Sequence, residues 1–250
     1  MTDAKAWFKP LRRVTGARTR LLCIPFAGGG AWTFRPWPAK LPDDCDVLGV
    51  QLPGREDRLG DDPFTHLGPL VSALADAALP TLSDGTPYAV FGHSMGALIA
   101  YELQRELARR GAPLAGQLFV SGYRAPHLPA PYPPIHELAD GEFVDEVARL
   151  YDAIPPAARE HEELMELLLP GLRADISVCD TYAHEEGEPL PCPIHVFGGE
   201  GDHHVSRADL EAWGALSAGR VEVTMLPGDH FFITTALDEL LGSVSAELPR

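Results

Sequence analysis

A serine flanked by glycines lies where a short apolar run gives way to a helical stretch. Residues 92–96 read Gly-His-Ser-Met-Gly, follow the apolar run 88–91 and open a helical stretch that reaches Arg110. In a strand, sharp turn and helix, such a serine sits at the tip of the turn with its hydroxyl exposed at the end of a sheet. The glycines leave room for neighbouring backbone at that turn. The pattern predicts a nucleophile elbow with Ser94 as the nucleophile.

Serine is a weak nucleophile until a base removes its proton, so the chain must supply a histidine. His230 follows the predicted strand 221–226 and precedes a predicted terminal helix. Parallel strands all end on one side of a sheet, which puts His230 on the same edge as Ser94. His93 belongs to the elbow itself, and its side chain is expected to point away. Surface positions are predicted for five other histidines: His66, His127, His136, His161 and His184.

An acid should orient that histidine and stabilise its protonated form without taking the proton. Asp202 follows the predicted strand 193–198 through a Gly-Glu-Gly turn, and the order Ser94, Asp202, His230 is the one used by the fold that carries such an elbow. Asp202 is therefore the predicted acid. The rival carboxylates are Glu200, Asp229, Asp175 and Asp180, of which Asp229 is expected to cap its turn.

Negative charge on the substrate oxygen requires backbone N–H donors. One is predicted at Met95, the residue after the nucleophile, and the other at Phe26 in the glycine-rich loop 25–30, with Ala27 as the alternative. A phosphate-binding loop would need a lysine and a hydroxyl that do not follow these glycines. His203 and His204 have no further ligand at suitable spacing, so no metal and no cofactor are predicted.

Strand-like and helical segments alternate along the chain. The apolar runs are short and bounded by glycine, proline or charge, which is typical of strands buried on both faces of a parallel sheet. The predicted strands are 20–25, 46–52, 88–92, 117–122, 193–198 and 221–226, and the predicted helices are 67–82, 95–110, 207–216 and 234–248. This alternation predicts an α/β fold with a mostly parallel sheet flanked by helices.

The segment 125–188 interrupts the alternation. It begins with five prolines, continues with predicted helices at 140–151 and 159–169, and contains no convincing strand. An insertion of this length between two strands is predicted to form a helical lid over the active site, since apolar side chains at 164–169 exceed what a solvated helix pair needs. The alternative is a peripheral helix pair with no role in binding.

Composition limits the remaining possibilities. With 250 residues, 45% of them apolar, the chain is expected to form a single domain over 1–250. A formal net charge of −16 argues against nucleic-acid binding. No apolar stretch approaches the roughly 20 residues that span a bilayer, and residues 1–10 lack the apolar centre of a signal peptide, so a cytoplasmic protein is expected. Four scattered cysteines suit reduced, packed thiols.

Several elements together resemble the stand-alone type II thioesterases of polyketide and nonribosomal peptide pathways. The resemblance runs nearly end to end, and it rests on residues 25–29, 51–58, 92–96, 172–175, 198–202 with Val205, and 228–232. The Pro-Gly-Arg-Glu and His-Phe-Phe elements are more specific than the elbow. One departure is Phe26, where the family usually has histidine; because the predicted role there belongs to the backbone, only the pocket entrance is expected to change.

This resemblance implies an α/β-hydrolase fold with a helical lid, and hydrolysis of acyl groups from the phosphopantetheine arm of an acyl or peptidyl carrier protein by a monomer. The alternatives are a general carboxylesterase or lipase, and a non-catalytic module, which usually loses a triad member. Carrier proteins are commonly acidic, so local arginines would have to dock them to this acidic chain. The candidates are Arg12, Arg13, Arg18, Arg20, Arg55 and Arg58.

Overall fold

A computed structural model describes residues 4–151 and 161–250, and in this part of the chain seven strands form one sheet. The strands are β1 (Phe8–Arg12), β2 (Thr19–Ile24), β3 (Cys45–Val50), β4 (Tyr88–His93), β5 (Gln117–Ser121), β6 (Ile194–Gly199) and β7 (Val221–Leu226). Their spatial order is β1-β3-β2-β4-β5-β6-β7. Only the pairing of β1 with β3 is antiparallel. All six predicted strands are confirmed.

Helices cover both faces of the sheet. They are α1 (Ala4–Trp7), α2 (Leu67–Leu82), α3 (Met95–Arg109), α4 (Asp140–Tyr151), α5 (Glu162–Asp180), α6 (Arg207–Glu211), α7 (Phe232–Thr235) and α8 (Leu237–Glu247). Short 3₁₀ turns lie at Ala31–Phe34, Trp37–Ala39, Glu56–Arg58 and Ala212–Leu216. The predicted helices 67–82 and 95–110 are confirmed, whereas 207–216 divides into α6 and a 3₁₀ turn, and 234–248 is preceded by α7 and broken at Ala236.

The strands β2 to β6 are buried along their whole length, which explains their continuous apolar sequences. Alternate side chains point to opposite faces, as the pleat of a strand requires. Leu22 and Val90 pack in the cluster that contains α2 and α3. Leu21 and Phe91 pack in the cluster that contains α8. The sheet is therefore a rigid layer between two apolar cores, and its strand ends are fixed points for functional loops.

Two elements differ from the sequence-based expectation. The strand β1 is absent from the predicted strands because Pro10 and the charged residues Lys9 and Arg12 interrupt its apolar pattern. Proline is tolerated there because β1 is an edge strand. The helix predicted to end at Leu169 continues through Pro170 to Asp180 as α5. Its predicted start, residues 159 and 160, lies outside the described residues. Contacts of the later part of α5 with two loops, described below, explain why it extends.

The four cysteines are free, as expected. Burial raises the pKa of Cys45 and of Cys192 to about 11, so neither thiol is reactive near neutral pH. None of the helices within the described residues is both long enough and apolar enough to cross a membrane.

Candidate active site

Ser94 lies at a sharp turn between β4 and α3, in the backbone conformation expected of a nucleophile elbow. Its φ of 53° and ψ of −123° are strained for a residue with a side chain, and its N–H donates to the carbonyl of Ser121 over 2.7 Å. Close packing between neighbouring backbone segments keeps Ser94 in this strained conformation. A Cβ on Gly92 would overlap the carbonyl of Gly96, and a Cβ on Gly96 would overlap the carbonyl of Ile24. The glycines therefore permit the turn.

We expect Gly96→Ala to destabilise the fold and to abolish hydrolysis. The added methyl would overlap the Ile24 carbonyl and lie 2.6 Å from that of Pro25, and both are backbone atoms that cannot move as a side chain would. Overpacking of this kind costs about 3 kcal/mol of unfolding free energy. Urea unfolding followed by circular dichroism measures the loss.

The matched control is Gly242→Ala in α8, where an added Cβ would meet no atom within 4 Å. Because alanine is the better helix former, this variant is expected to gain about 0.5 to 1 kcal/mol and to keep its activity. Equal unfolding free energies for the two variants would contradict the role given to Gly96.

His230 and Asp202 lie at the same edge of the sheet as Ser94, after β7 and β6. His230 Nδ1 lies 2.7 Å from Asp202 Oδ2, and the Asp202 side chain has no solvent exposure. The backbone N–H of His204 donates to the other oxygen, Oδ1, over 2.9 Å. Burial alone would raise the pKa of Asp202, but the hydrogen bond and charge of His230 outweigh it and lower that pKa below its ordinary value. Asp202 is thus held ionised against the imidazole.

Three of the rival carboxylates, Asp175, Asp180 and Asp229, have other partners. Asp175 binds Arg55, and Asp180 accepts hydrogen bonds from the backbone of Ile135 and His136 and lies 3.0 Å from His136 Nδ1. Asp229 accepts from the N–H of Phe231, the local turn contact expected of it. Among the carboxylates considered from the sequence, the one placed against His230 Nδ1 is therefore Asp202.

His93 does not point away from the site, as the sequence suggested, but packs beside the predicted base. Its ring centroid is 5.1 Å from that of His230, and its Nδ1 lies 2.9 Å from Ser121 Oγ. Complete burial and the neighbouring His230 lower the pKa of His93 well below its ordinary value, despite an opposing backbone contact with His230. His93 is therefore an uncharged side chain that packs against the His230 ring. Two of the predicted surface histidines, His136 and His184, are also partly buried.

The loop after β2 carries the predicted oxyanion donors beside the elbow. Phe26 closes a tight turn by accepting the N–H of Gly29 over 2.9 Å, and its ring meets the rings of Phe231 and His93 edge to face at 5.1 and 5.9 Å. Met95, at the start of α3, is buried. Because β2 and β4 are adjacent, Phe26 and Met95 lie at neighbouring strand ends. Their role as oxyanion donors stays a prediction, as do the roles of Ser94, Asp202 and His230.

Two cavities open beside Ser94 and His230. The larger has a volume of about 150 Å³ and is walled by the proline-rich stretch that contains Pro131 to Ile135, together with Tyr182. The smaller, of about 40 Å³, is lined by apolar side chains that include Phe26, Val147, Leu172 and Ile176. Both share Cys179, whose thiol has a raised pKa because it is buried. The site can therefore receive an extended, largely apolar substrate at the serine.

Residues of the segment 125–188 supply most of the wall of the larger cavity and part of the wall of the smaller one. Ile135, Phe143, Val147 and Ile176 form a separate small apolar cluster there, and Met165 and Leu169 pack against it. Leu164, Leu167 and Leu168 instead face outward with 40%, 52% and 46% exposure. The helices thus contact the site through one side, and their function as a lid stays a prediction.

The six arginines considered for docking lie elsewhere or are occupied. Arg20 and Arg55 are buried, Arg12 donates to four backbone carbonyls, and the side chain of Arg58 is 14% exposed. Arg13 and Arg18 are exposed but lie next to the ends of β1 and β2 at the edge of the sheet opposite Ser94. None of the six is both exposed and on the edge that carries the site; docking of a carrier protein by these arginines stays a prediction.

A second histidine–carboxylate pair lies at the opposite edge of the sheet. His195 Nδ1 is 3.1 Å from Glu247, and its Nε2 is 2.8 Å from Thr224 Oγ1. Glu222 brings a third potential metal ligand within 4.8 Å, but it forms an ion pair with Arg220. His195 Nδ1 forms no hydrogen bond with Glu247 despite this distance, so the contact differs from the hydrogen-bonded Asp202–His230 pair. It serves as a control for removing a carboxylate beside a histidine that is distant from Ser94.

Comparisons with known proteins point to one family. A model of the thioesterase domain matches residues 19–248. The gramicidin S biosynthesis protein GrsT of Aneurinibacillus migulanus is 38% identical over 248 residues, which cover 99% of this chain and 96% of that protein. The structure of BorB, a type II thioesterase from the borrelidin biosynthetic cluster, has a TM-score of 0.84 at 34% identity and covers 100% and 99% of the two chains. RedJ, a thioesterase of the prodiginine pathway in Streptomyces coelicolor, has a TM-score of 0.86 at 39% identity, with 93% and 91% covered.

Proposed function

Because the chain belongs to the thioesterase domain family, we propose that it is a type II thioesterase that removes acyl groups from the phosphopantetheine arm of carrier proteins. The observation that carries this proposal is a strained serine and a histidine that line the same two cavities, with the histidine held against a buried aspartate. Such hydrolysis would clear stalled or wrongly primed synthases. Relatives named for gramicidin S, borrelidin and prodiginine biosynthesis support this pathway context.

In the acylation step, Ser94 Oγ attacks the thioester carbonyl carbon while His230 Nε2 takes the hydroxyl proton. The electron pair of the carbonyl moves to its oxygen, where the N–H groups of Met95 and Phe26 stabilise it. Asp202 fixes the imidazole with Nδ1 protonated, so that Nε2 is free to accept, and stabilises the imidazolium that forms. Collapse of the intermediate breaks the C–S bond and transfers the proton to the leaving sulfur.

In the deacylation step, His230 takes a proton from a water molecule that attacks the acyl-serine carbonyl carbon. Collapse of the intermediate breaks the bond to Ser94 Oγ, His230 returns the proton to that oxygen, and the acid departs. A thiol with a pKa near 8.5 leaves easily, so the site must mainly admit the substrate and hold it in position. The two cavities meet at Ser94, which suits an acyl chain on one side and the pantetheine arm on the other. Phe26 makes the smaller cavity apolar where the family usually has histidine.

The proposal includes a lid formed by residues 125–188, a single domain, a monomeric state and a cytoplasmic location. Cavity walls contributed by the segment 125–188 support the lid. Four free cysteines suit a reducing compartment. A general carboxylesterase or lipase of the same fold, the alternative considered from the sequence, is not favoured by the family match or by the named relatives.

The proposed function predicts a preference for thioesters over oxygen esters. An acyl-pantetheine thioester and its matched oxygen ester share every group except the leaving atom, and the alkoxide is the poorer leaving group. We expect kcat/KM to favour the thioester by at least about tenfold, or about 1.4 kcal/mol of transition-state stabilisation. Steady-state assays with both compounds, and with the acyl group loaded on a carrier protein, measure the ratio. A clear preference for the oxygen ester would favour the carboxylesterase.

A further inference from the structure

A buried ion pair lies beneath the loop that carries Phe26. Arg55 Nη1 is 2.6 Å from Asp175 Oδ2, and Arg55 Nη2 is 2.6 Å from Asp175 Oδ1, so the guanidinium and carboxylate meet face to face. Both side chains are more than nine-tenths buried. Charge-assisted pairs with two parallel hydrogen bonds fix geometry more strictly than single contacts do. Neither residue belongs to the serine, histidine and aspartate of the proposed mechanism.

The ion pair forms hydrogen bonds with the main chain of this loop at two adjacent residues. The N–H of Gly28 donates to Asp175 Oδ2 over 2.7 Å, and Arg55 Nη1 donates to the carbonyl of Gly29 over 3.1 Å. Arg55 also has the carbonyl of Pro53 within 3.4 Å of Nε and Nη2. These contacts give each of the five guanidinium N–H groups an acceptor. The guanidinium therefore holds one orientation, and the loop is fixed to it.

The backbone around Arg55 adopts an unusual conformation that places its side chain beneath the loop that carries Phe26. Gly54 has a φ of +81°, and Glu56 has a φ of +48°, which is strained for a residue with a side chain. Gln51 donates from Nε2 to the carbonyl of Arg55 over 3.1 Å. Backbone strain of this kind persists where surrounding contacts hold a residue in place. The strain at Glu56 therefore indicates that the position of Arg55 is fixed by its contacts.

Asp175 belongs to α5, the helix that also walls the cavities. Leu172 and Ile176, on either side of Asp175 in the sequence, line the smaller cavity. A Cβ on Gly28 would touch Leu172, and a Cβ on Gly171 would lie 3.0 Å from the carbonyl of Gly54. The helix thus rests directly on both loops, and the ion pair joins these three segments at one point.

The predicted oxyanion donor Phe26 lies between two anchors. On one side, the backbone of Ile24 and Pro25 is in close contact with Gly96 at the start of α3. On the other side, Gly28 and Gly29 are held by the ion pair. The orientation of the Phe26 N–H relative to Ser94 is therefore set by both anchors. We propose that Arg55 and Asp175 are positioning residues that hold the oxyanion loop in its catalytic geometry and tie it to α5.

The proposal rests on the proposed thioester hydrolysis, and its test separates the two. A trifluoromethyl ketone forms a bond from its carbonyl carbon to Ser94 Oγ; the carbonyl electron pair moves to oxygen, and the serine proton goes to His230. The adduct oxygen occupies the place of the reaction's oxyanion, so its affinity reports the donors. Hydrolysis of a short acyl thioester of N-acetylcysteamine reports kcat and KM. If the wild-type protein hydrolyses no thioester, the proposed function fails, whatever the variants do.

Asp175→Asn keeps the shape of the side chain but removes its charge and one acceptor. We expect kcat to fall about 100-fold, as for a donor displaced by about 1 Å, with KM changed less than about threefold. The affinity for the ketone should fall by a similar factor. Near-UV circular dichroism gives the folded fraction to which each rate is referred. A folded Asp175→Asn variant with wild-type kcat and wild-type ketone affinity would overturn the proposal.

The matched control is Asp84→Asn. Asp84 also meets a buried arginine, Arg20, through both oxygens, at 2.7 and 3.2 Å, but lies just before β4 at the opposite edge of the sheet. Its replacement is expected to leave kcat and ketone affinity unchanged. Equal losses of kcat per folded molecule in both variants would assign the Asp175 effect to general destabilisation.

Arg55→Lys keeps the proposal testable if Asp175→Asn does not fold. Lysine preserves the charge opposite Asp175 but cannot bind both carboxylate oxygens and the Gly29 carbonyl in the planar arrangement of arginine. We expect kcat and ketone affinity both to fall about tenfold, because the loop keeps the Gly28 contact but loses its fixed orientation. A folded Arg55→Lys variant with unchanged values would refute the positioning role.

Discussion

Replacement of Ser94 by alanine is expected to lower kcat by roughly 10⁴- to 10⁶-fold and to abolish the acyl-enzyme. Without the hydroxyl, the acyl group has no acceptor in the protein, and only the oxyanion donors and binding contacts can assist attack by water. The elbow itself should persist, because Gly92 and Gly96, rather than the serine side chain, provide its close contacts. Intact-protein mass spectrometry after brief exposure to an acyl thioester detects the adduct in the wild-type protein and its loss in the variant.

Ser243→Ala is the matched control for this prediction. Ser243 lies partly exposed on α8, where its hydroxyl donates to the carbonyl of Glu239, one helical turn earlier. The variant should acylate and turn over like the wild-type protein. Substantial hydrolysis by Ser94→Ala, or an acyl adduct on it, would show that another group is the nucleophile and would end the serine mechanism.

The candidate site could be predicted from sequence because its signals are local. The glycines at 92 and 96 are needed where backbone approaches backbone, so their spacing follows directly from the turn. Asp202 follows the buried strand β6 and His230 follows β7, and the parallel pairing of these two strands brings their ends together. The layers of the fold could also be predicted from local sequence. Strands with continuous apolar sequences are typical of a parallel sheet whose two faces are both covered by helices.

Features that depend on distant contacts could not be predicted. Pro170 normally marks the end of a helix, yet α5 continues because Gly171, Leu172 and Asp175 meet two loops. Arg55 was expected at a docking surface, but its partner Asp175 lies 120 residues further along the chain. The residues near Arg55 in the sequence do not indicate that Asp175 is its partner. Burial of the Arg55 charge is unfavourable unless an opposite charge compensates it, and the Asp175 carboxylate does so only in the folded state.

His93 illustrates the same limit within the elbow. Its place in the Gly-His-Ser-Met-Gly sequence fixes its backbone, but the direction of its ring depends on Ser121 and on the His230 ring packed against it. Since burial lowers the pKa of His93, the residue adds no positive charge beside the predicted base. A neutral neighbour adds no charge that opposes the contact between Asp202 and His230. The aspartate should therefore matter more to catalysis than its distance from the substrate suggests.

Asp202→Asn is expected to lower kcat about 10⁴-fold while leaving the fold intact. The backbone N–H of His204 donates to Oδ1 of Asp202, so an asparagine would keep its carbonyl oxygen there and turn its NH₂ group toward His230. His230 Nδ1 would then have to accept a hydrogen bond, which moves the ring proton to Nε2. In that tautomer Nε2 cannot take the proton of Ser94. Histidine ring ¹⁵N shifts report the tautomer, and steady-state hydrolysis reports kcat.

The matched control is Glu247→Gln, which makes the same change in the histidine–carboxylate pair at the opposite edge of the sheet. The kcat should stay at the wild-type value, because His195 lies at the edge of the sheet opposite Ser94. This comparison separates loss of a carboxylate beside any histidine from loss of the one that faces the catalytic imidazole. If Asp202→Asn kept wild-type kcat, or if its His230 kept the proton on Nδ1, the role of Asp202 as the orienting acid would be wrong, and the base would have to be fixed by another contact.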